Sequence, residues 1–185
     1  MALNRWRAFS SLFLLAFAAS HAAQAQEVQR VDVREDGLIG RFYTAVGASK
    51  RTGVLMLTGS GGGYPDEAAA RDLARSGYPV FGIAYFRDYE GQPPELGQKQ
   101  LRRVPLEYLF KALDWLKARP EVRSDRIALM GESRGAELAL MLGALRPDVA
   151  GVIAYSPIAF RWAAVGGGDA AWTLDGVPLP YVEGV

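Results

Sequence analysis

Arg126-Ile127-Ala128-Leu129-Met130 runs straight into Gly131-Glu132-Ser133-Arg134-Gly135, which opens into Ala136-Glu137-Leu138-Ala139-Leu140-Met141-Leu142. An apolar five-residue run, a G-x-S-x-G turn and a run of helix formers read together as strand, tight turn and helix. The turn is sharp enough that only small side chains fit on either side of it, which accounts for Gly131 and Gly135. It lifts the Ser133 hydroxyl above the sheet at a helix N-terminus, where the backbone N–H of Arg134 can face a developing oxyanion. Ser133 is therefore the candidate nucleophile. A serine that simply caps a helix between two glycines is the plain structural counterpart of the same pentapeptide.

Upstream, residues 53–58 form an almost wholly apolar strand that ends in Gly59-Ser60-Gly61-Gly62-Gly63. A glycine cluster after an early strand is where the second oxyanion donor of such a site belongs, and Ser60, Gly61 and Gly62 are the candidates. No Gly-Lys-Ser/Thr follows, which excludes a P-loop. A helix over 66–76, a strand over 80–86, a polar Pro- and Gly-containing loop over 87–103 and a helix over 105–119 come next. The last of these puts Leu106, Leu109, Phe110, Leu113 and Leu116 on one face. Residues 29–33 and 38–45 read as a hairpin-like lead-in around Glu35-Asp36-Gly37.

Downstream of the quoted stretch, 149–155 is a further strand, apolar at nearly every position, the pattern of a strand covered on both faces, although as written it would lie close to an exposed sheet edge. Strands alternating with helices of this length predict a mostly parallel α/β sheet flanked by helices, in the manner of an α/β-hydrolase. The tail 172–185 shows no further strand–helix unit, so the domain 26–185 reads as truncated before its last strands.

Composition narrows the function classes. Residues 1–25 have the pattern of a secretory signal peptide: Arg5 and Arg7, an apolar run over 8–19, and Ala23-Gln24-Ala25 before Gln26. That run is shorter than the roughly 20 residues a membrane span needs, so the mature chain is expected in the periplasm or outside the cell, with no stable membrane span. The formal charge is +1, and loss of the two leader arginines lowers it by two. No basic stripe with interleaved aromatics points to nucleic acid. There is no cysteine. No metal-ligand spacing and no cofactor motif is present, so none of either is expected.

Gly59-Ser60-Gly61-Gly62-Gly63, Ala84-Tyr85-Phe86, Pro105-Leu106-Glu107-Tyr108 and Gly131-Glu132-Ser133-Arg134-Gly135-Ala136-Glu137-Leu138 together resemble the catalytic domain of the acyl-CoA thioesterase / bile acid-CoA:amino acid N-acyltransferase family. The resemblance runs from about 31 to 182, and the block 127–140 is its most specific part. It implies an α/β-hydrolase acting on acyl thioesters through a serine or cysteine nucleophile, and serine at 133 points to hydrolysis. Residues 26–51 are too few for the N-terminal β-sandwich that eukaryotic members carry. Coenzyme A thioesters are intracellular, so behind a signal peptide an extracytoplasmic ester or thioester is an equal candidate substrate.

The family's acid and histidine follow the strand corresponding to 149–155. Here Asp169 and Asp175 lie in the tail without following a strand, and the single histidine is His21 in the leader. A serine hydroxyl needs a base, and losing the base costs on the order of a millionfold in turnover. Three readings stay open: a serine acyl-thioester hydrolase whose Asp and His lie on further sequence, a carboxylesterase or peptidase on the same fold, and a catalytically inactive acyl-ligand binder. Among the remaining charges, Lys99, Arg102 and Arg103 read as a solvated basic loop. Glu132 and Arg134 are either an exposed pair or groups that tune the pocket. Glu107 and Glu137 match the resemblance without an assigned chemistry, and Trp162 and Trp172 read as packing or lid residues.

Overall fold

A computed structural model describes residues 26–86 and 99–183. The leader with His21 and the loop residues 87–98 lie outside the described residues, so the signal-peptide expectation finds no structural counterpart here.

The described chain forms a six-stranded sheet in the order β1-β2-β4-β3-β6-β7. Its strands are β1 (Val28–Val33), β2 (Gly40–Ala45), β3 (Arg51–Leu57), β4 (Val80–Ile83), β6 (Val122–Glu132) and β7 (Val149–Tyr155). The β3–β4, β3–β6 and β6–β7 pairs are parallel. The lead-in hairpin adds β1 and β2 antiparallel, with β2 seated against β4. The sheet is thus mixed but parallel where it carries the site.

Side-chain alternation along each strand separates two apolar layers. Leu55, Leu57, Phe81, Ile83, Ile127 and Leu129 face one side, where α2 (Leu106–Lys117) and α3 (Arg134–Leu145) cover them. Val54, Met56 and Val80 face the other, against Ala70 and Ala74 of α1 (Glu67–Arg75). Helix α1 starts where the Asp66 carboxylate accepts the Ala69 N–H at 2.8 Å, a side-chain cap of the first turn. Trp115 packs on Phe81 with ring centroids 4.4 Å apart and meets Phe42 edge-on at 5.5 Å, tying α2 to β2 and β4.

Tyr108 performs a more specific task. Its hydroxyl accepts the Ile39 N–H at 3.0 Å and donates to the Ala84 carbonyl at 2.8 Å, bridging the two chain segments at the ends of β2 and β4. Burial pushes the phenol up to about 12, so it stays a neutral donor across the physiological range. Tyr108→Phe leaves two half-buried backbone groups without partners. The expected cost is about 1–3 kcal/mol, read as a lowered urea midpoint with unchanged m-value.

The far end of α3 is held by charge. Arg146 grips the Asp148 carboxylate through Nε at 2.8 Å and Nη2 at 2.7 Å, and Lys117 reaches the same carboxylate at 2.6 Å. The Arg146 hydrogen bonds hold the Asp148 carboxyl well below the usual carboxylate range. A depressed folded-state pKa contributes stability above the unfolded value of about 4, and that contribution fades as pH falls below it. Asp148→Asn is expected to flatten the acid side of the stability–pH curve below about pH 4, measurable by thermal unfolding at stepped pH.

Several expectations are corrected. The strand over 80–86 ends at Ile83, and that over 126–130 extends to 122–132. The tail does contain regular structure: β8 (Trp172–Leu174) and β9 (Val177–Pro178) form a hairpin, and β5 (Val104–Pro105) joins it in a second small sheet. Strands of two or three residues are too short to leave a periodic signal in sequence. β7 is not covered on both faces. It is the sheet's edge among the described residues, with Ile153 45% and Tyr155 54% exposed on the α1 side, because α1 lies chiefly over β1, β2 and β4, with Val54 and Met56 of β3 beneath it. Val152 on the opposite side packs against the larger core cluster.

Candidate active site

At the junction of β6 and α3, Ser133 has φ 52° and ψ −116°, a conformation that L-residues avoid. What holds it there is close packing of two glycines. A Cβ on Gly131 would lie 2.1 Å from the Gly135 carbonyl oxygen, and one on Gly135 would lie 2.3 Å from the Thr58 carbonyl oxygen. Backbone at the end of β6 and at the start of α3 therefore touches itself and the end of β3 directly. The Ser133 N–H donates to the Tyr155 carbonyl at 2.9 Å, tying the turn to β7 as well. Backbone strain at Ser133 is thus maintained by its surroundings, the local geometry that a nucleophile elbow requires.

The glycine loop expected to accompany it lies alongside. Gly59 is close enough that a Cβ there would sit 3.5 Å from the Ser133 Cβ. Within the loop the Gly62 N–H turns back to the Gly59 carbonyl at 3.3 Å, and the Gly63 N–H donates to the Phe86 carbonyl at 2.8 Å. Ser60 and Ser133 line one cavity of about 450 Å³, together with Arg134, the segment from Trp162 to Gly167, and Glu183. Arg134 is the first residue of α3, a position whose N–H has no carbonyl within its own helix to bond. The loop and the helix end thus bring backbone donors to the side of a strained serine.

Arg134 itself is not the exposed partner of Glu132. Glu132 is exposed, but Arg134 is 6% and Glu137 3% exposed, and they form an ion pair at 3.1 Å. Arg134 Nη2 also donates to the carbonyls of Trp162 at 3.1 Å and Ala163 at 3.0 Å. Glu137 accepts from Trp172 Nε1 at 2.6 Å. Burial pushes the Glu137 carboxyl up and the Arg134 guanidinium down, and each partner's charge opposes the other's shift. Tyr85, wholly buried beside them, donates to the Thr58 carbonyl, and burial raises its phenol far above the usual range. The sequence signal for this network was a charged i, i+3 pair on a helix otherwise made of Gly, Ala, Leu and Met.

The tail acids lie elsewhere. Asp169 is taken by Arg103, whose Nε reaches its two oxygens at 2.8 and 3.0 Å, and by Arg102 at 3.4 Å. The Arg103 hydrogen bonds hold its carboxyl below the ordinary range. These arginines therefore fasten the tail instead of forming only a solvated loop. Asp175 sits in the β8–β9 turn, where its N–H donates to Glu107 at 2.6 Å, which gives Glu107 a structural task. Neither acid lines the Ser133 cavity. Glu183 does, with both carboxylate oxygens accepting from the Gly168 N–H at 3.2 and 3.3 Å. Among the described residues there is no histidine.

Residues 104–162 match the family model described as BAAT / acyl-CoA thioester hydrolase C terminal. The chain is 35% identical over 124 residues to mouse acyl-coenzyme A thioesterase 6, covering 67% of this chain and 28% of that protein. It is 31% identical over 126 residues to human mitochondrial acyl-coenzyme A thioesterase 2, covering 68% of this chain and 25% of that protein. It thus spans less than a third of the length of these relatives. Among solved structures it resembles a dienelactone hydrolase-like promiscuous phosphotriesterase from metagenomic libraries. The TM-score is 0.52 at 21% identity, covering 71% of this chain and 59% of that one. It also resembles acetyl xylan esterase 1 from Thermoanaerobacterium sp. JW/SL YS485, with TM-score 0.51 and 16% identity over 72% and 54% of the two chains. The fold is that of the α/β-hydrolases.

Proposed function

The chain carries a domain of the BAAT / acyl-CoA thioester hydrolase C-terminal family, and from that premise we propose that it is the nucleophile-bearing part of a serine acyl hydrolase acting on acyl thioesters. The observation that carries the reading is Ser133 held at φ 52° between Gly131 and Gly135, facing a cavity shared with the Gly59–Gly63 turn.

In this mechanism Ser133 Oγ attacks the acyl carbonyl carbon while its proton passes to a general base. The carbonyl oxygen becomes an oxyanion that accepts hydrogen bonds from the Arg134 N–H and from the glycine loop. Ser60 and Gly61 are the donors of choice in that loop, since the Gly62 N–H is turned to Gly59. Collapse breaks the C–S bond and the thiolate leaves with a proton. Water then attacks the acyl-Ser133 carbonyl, regenerating the hydroxyl and releasing the acid. Each backbone donor is worth on the order of a hundredfold to a thousandfold in such sites. In this reading the general base is a histidine on further sequence, as the family resemblance implies, and not His21 of the leader. The substrate is a small acyl thioester or ester, with no resident metal or cofactor and no nucleic-acid partner. The leader 1–25 directs the chain to the periplasm or exterior, which makes an extracytoplasmic ester or thioester an equal candidate beside a coenzyme A thioester.

A second reading is an acyl-ligand binder without turnover, supported by the apolar side that Ala163, Ala164 and Val165 give the Ser133 cavity. An alkyl fluorophosphonate separates the two. Stoichiometric labelling mapped to Ser133 is the expected result for the complete hydrolase, and an unlabelled serine in a chain that still binds acyl ligand supports the second. Turnover of matched thioester, oxyester and amide substrates then distinguishes a thioesterase from a carboxylesterase or peptidase. The N-terminal sequence of the exported protein, expected to begin at Gln26, tests the leader.

A further inference from the structure

We propose that Arg134 and Glu137 are positioning residues that lock the wall of the Ser133 cavity and thereby set which acyl groups the serine accepts. The inference rests on Ser133 being the nucleophile and goes beyond that reading by assigning selectivity to a buried pair.

The wall is the segment Trp162-Ala163-Ala164-Val165-Gly166-Gly167, which lines the cavity together with Ser60 and Ser133. Most of it lies outside helices and longer strands and makes only isolated bridges, so its position depends on a few anchors. Four are ordinary: the Ala163 N–H donates to Val182 O at 2.9 Å, the Ala164 N–H to Asp169 O at 2.8 Å, the Val165 N–H to Leu101 O at 3.2 Å, and Arg102 to Gly167 O at 3.0 Å. The anchor at Arg134 is different in kind. One guanidinium nitrogen of Arg134 takes the Trp162 and Ala163 carbonyls, and another pairs with Glu137, whose second oxygen holds the Trp172 indole. Glu137 also accepts the Trp162 N–H at 3.5 Å. A single fork therefore connects the first turn of the elbow helix, the cavity wall and β8.

Stability alone does not explain this pair. Burying two charges costs desolvation that their attraction barely offsets, and apolar side chains of like size often do as well. Arg134 Nε is moreover buried with no hydrogen-bond partner. What apolar side chains cannot do is hold two consecutive backbone carbonyls in a fixed direction, which a planar guanidinium does. The same residue offers its backbone N–H toward the oxyanion and its side chain to the wall. The distance between reacting carbon and wall is thus set within one residue. The wall that results presents the apolar side chains of Ala163, Ala164 and Val165 on one side of a cavity that Ser60, Ser133 and Glu183 make polar elsewhere, so an acyl chain would lie along this side.

The test uses the full chain, extended to whatever length the gene encodes, with Arg134→Met and Glu137→Leu combined. This double substitution leaves no unpaired charge and keeps the residue-134 N–H. Backbone amide exchange is read at 163–167 with 54–57 as reference, and Ser133 labelling rates are compared for ethyl and dodecyl fluorophosphonates. Exchange in the wall is expected to accelerate about tenfold or more with the reference unchanged. The ratio of the two labelling rates is expected to move by about tenfold, the size of a change in apolar pocket selectivity. Unchanged wall exchange overturns the lock, and a loosened wall with an unchanged ratio overturns the selectivity. If neither phosphonate labels the unsubstituted protein, the nucleophile reading falls and the selectivity with it, while exchange still decides the lock. Should the double substitution fail to fold, Arg134→Lys carries the same readouts, because one ammonium cannot reach Glu137 and both carbonyls in the same geometry.

Discussion

Gly131→Ala is expected to destabilise the domain by about 4 kcal/mol or more, a loss in the range reserved for severe steric conflict. The new Cβ would lie 2.1 Å from the Gly135 oxygen, 2.4 Å from the Gly135 carbonyl carbon and 2.8 Å from the Ala136 nitrogen. All three are backbone atoms in the first turn of α3, so no side-chain rotation relieves the contact. The helix would have to lift from the end of β6, taking Gly135 off the Thr58 carbonyl and Ser133 off the glycine loop. For a domain of this size the loss lowers Tm by roughly 8–16 °C, at about 2–4 °C per kcal/mol. Gly151→Ala in β7 is the matched control. Nothing stands within 4 Å of its Cβ position, and its φ is not in the left-handed region. That substitution is expected to be neutral or to stabilise by about 0.4–1 kcal/mol through the unfolded chain. Equal Tm changes for the two variants would show that the elbow is not packed as described.

The second large effect runs in opposite directions for stability and activity. Ser133→Gly removes the Cβ that makes φ 52° and ψ −116° unfavourable. Strain of this kind costs of order 1–3 kcal/mol, so the variant is expected to melt several degrees higher. The same substitution removes the nucleophile. Turnover of a thioester by the complete protein is expected to fall on the order of a millionfold, as when a serine nucleophile is deleted from a working triad. Ser133→Ala supplies the comparison. It loses activity equally but keeps a Cβ, so it should not share the gain in stability. A Ser133→Gly variant that is less stable than the parent would mean that the conformation is not strained. One that retains turnover would remove Ser133 from the mechanism.

The elbow was legible in the residues because every part of it is local. Gly131, Ser133 and Gly135 lie within five positions, an apolar strand precedes them and a helix former run follows. The steric demand that selects glycine on both sides acts between neighbours. The Gly59–Gly63 turn was legible for a similar reason: an apolar strand that stops at a glycine cluster marks the carboxyl end of a β3-type strand, where parallel α/β sheets build their sites. Ser60, Gly61 and Gly62 could be ranked only once the Gly62 and Gly63 N–H groups were seen to be engaged.

The Arg134–Glu137 pair shows the opposite case. A charged pair beside a serine is compatible with an exposed surface or a buried clamp, and the difference lies in what arrives from far along the chain. Trp172, Trp162 and Ala163 come from 25 to 35 positions away and remove the pair from water. The hairpin of β8 and β9 escaped notice because strands this short carry no period. β7 lies at the sheet edge as expected, but its α1-side face is open, because apolarity says that a strand prefers cover and not that a helix lies over it.

Neighbouring residues are enough to specify parallel strands separated by helices, a serine on a two-glycine elbow, and a glycine loop to face it. Those features follow from side-chain periodicity and from the steric limits of a tight turn, both properties of adjacent residues. Long-range packing is what joins β2 to β4, buries Arg134 and Glu137, and brings residues 162–167 to the wall of the Ser133 cavity. Each of these is a pairing between distant segments, fixed by which surfaces exclude water together, and no local pattern of residues encodes the partner.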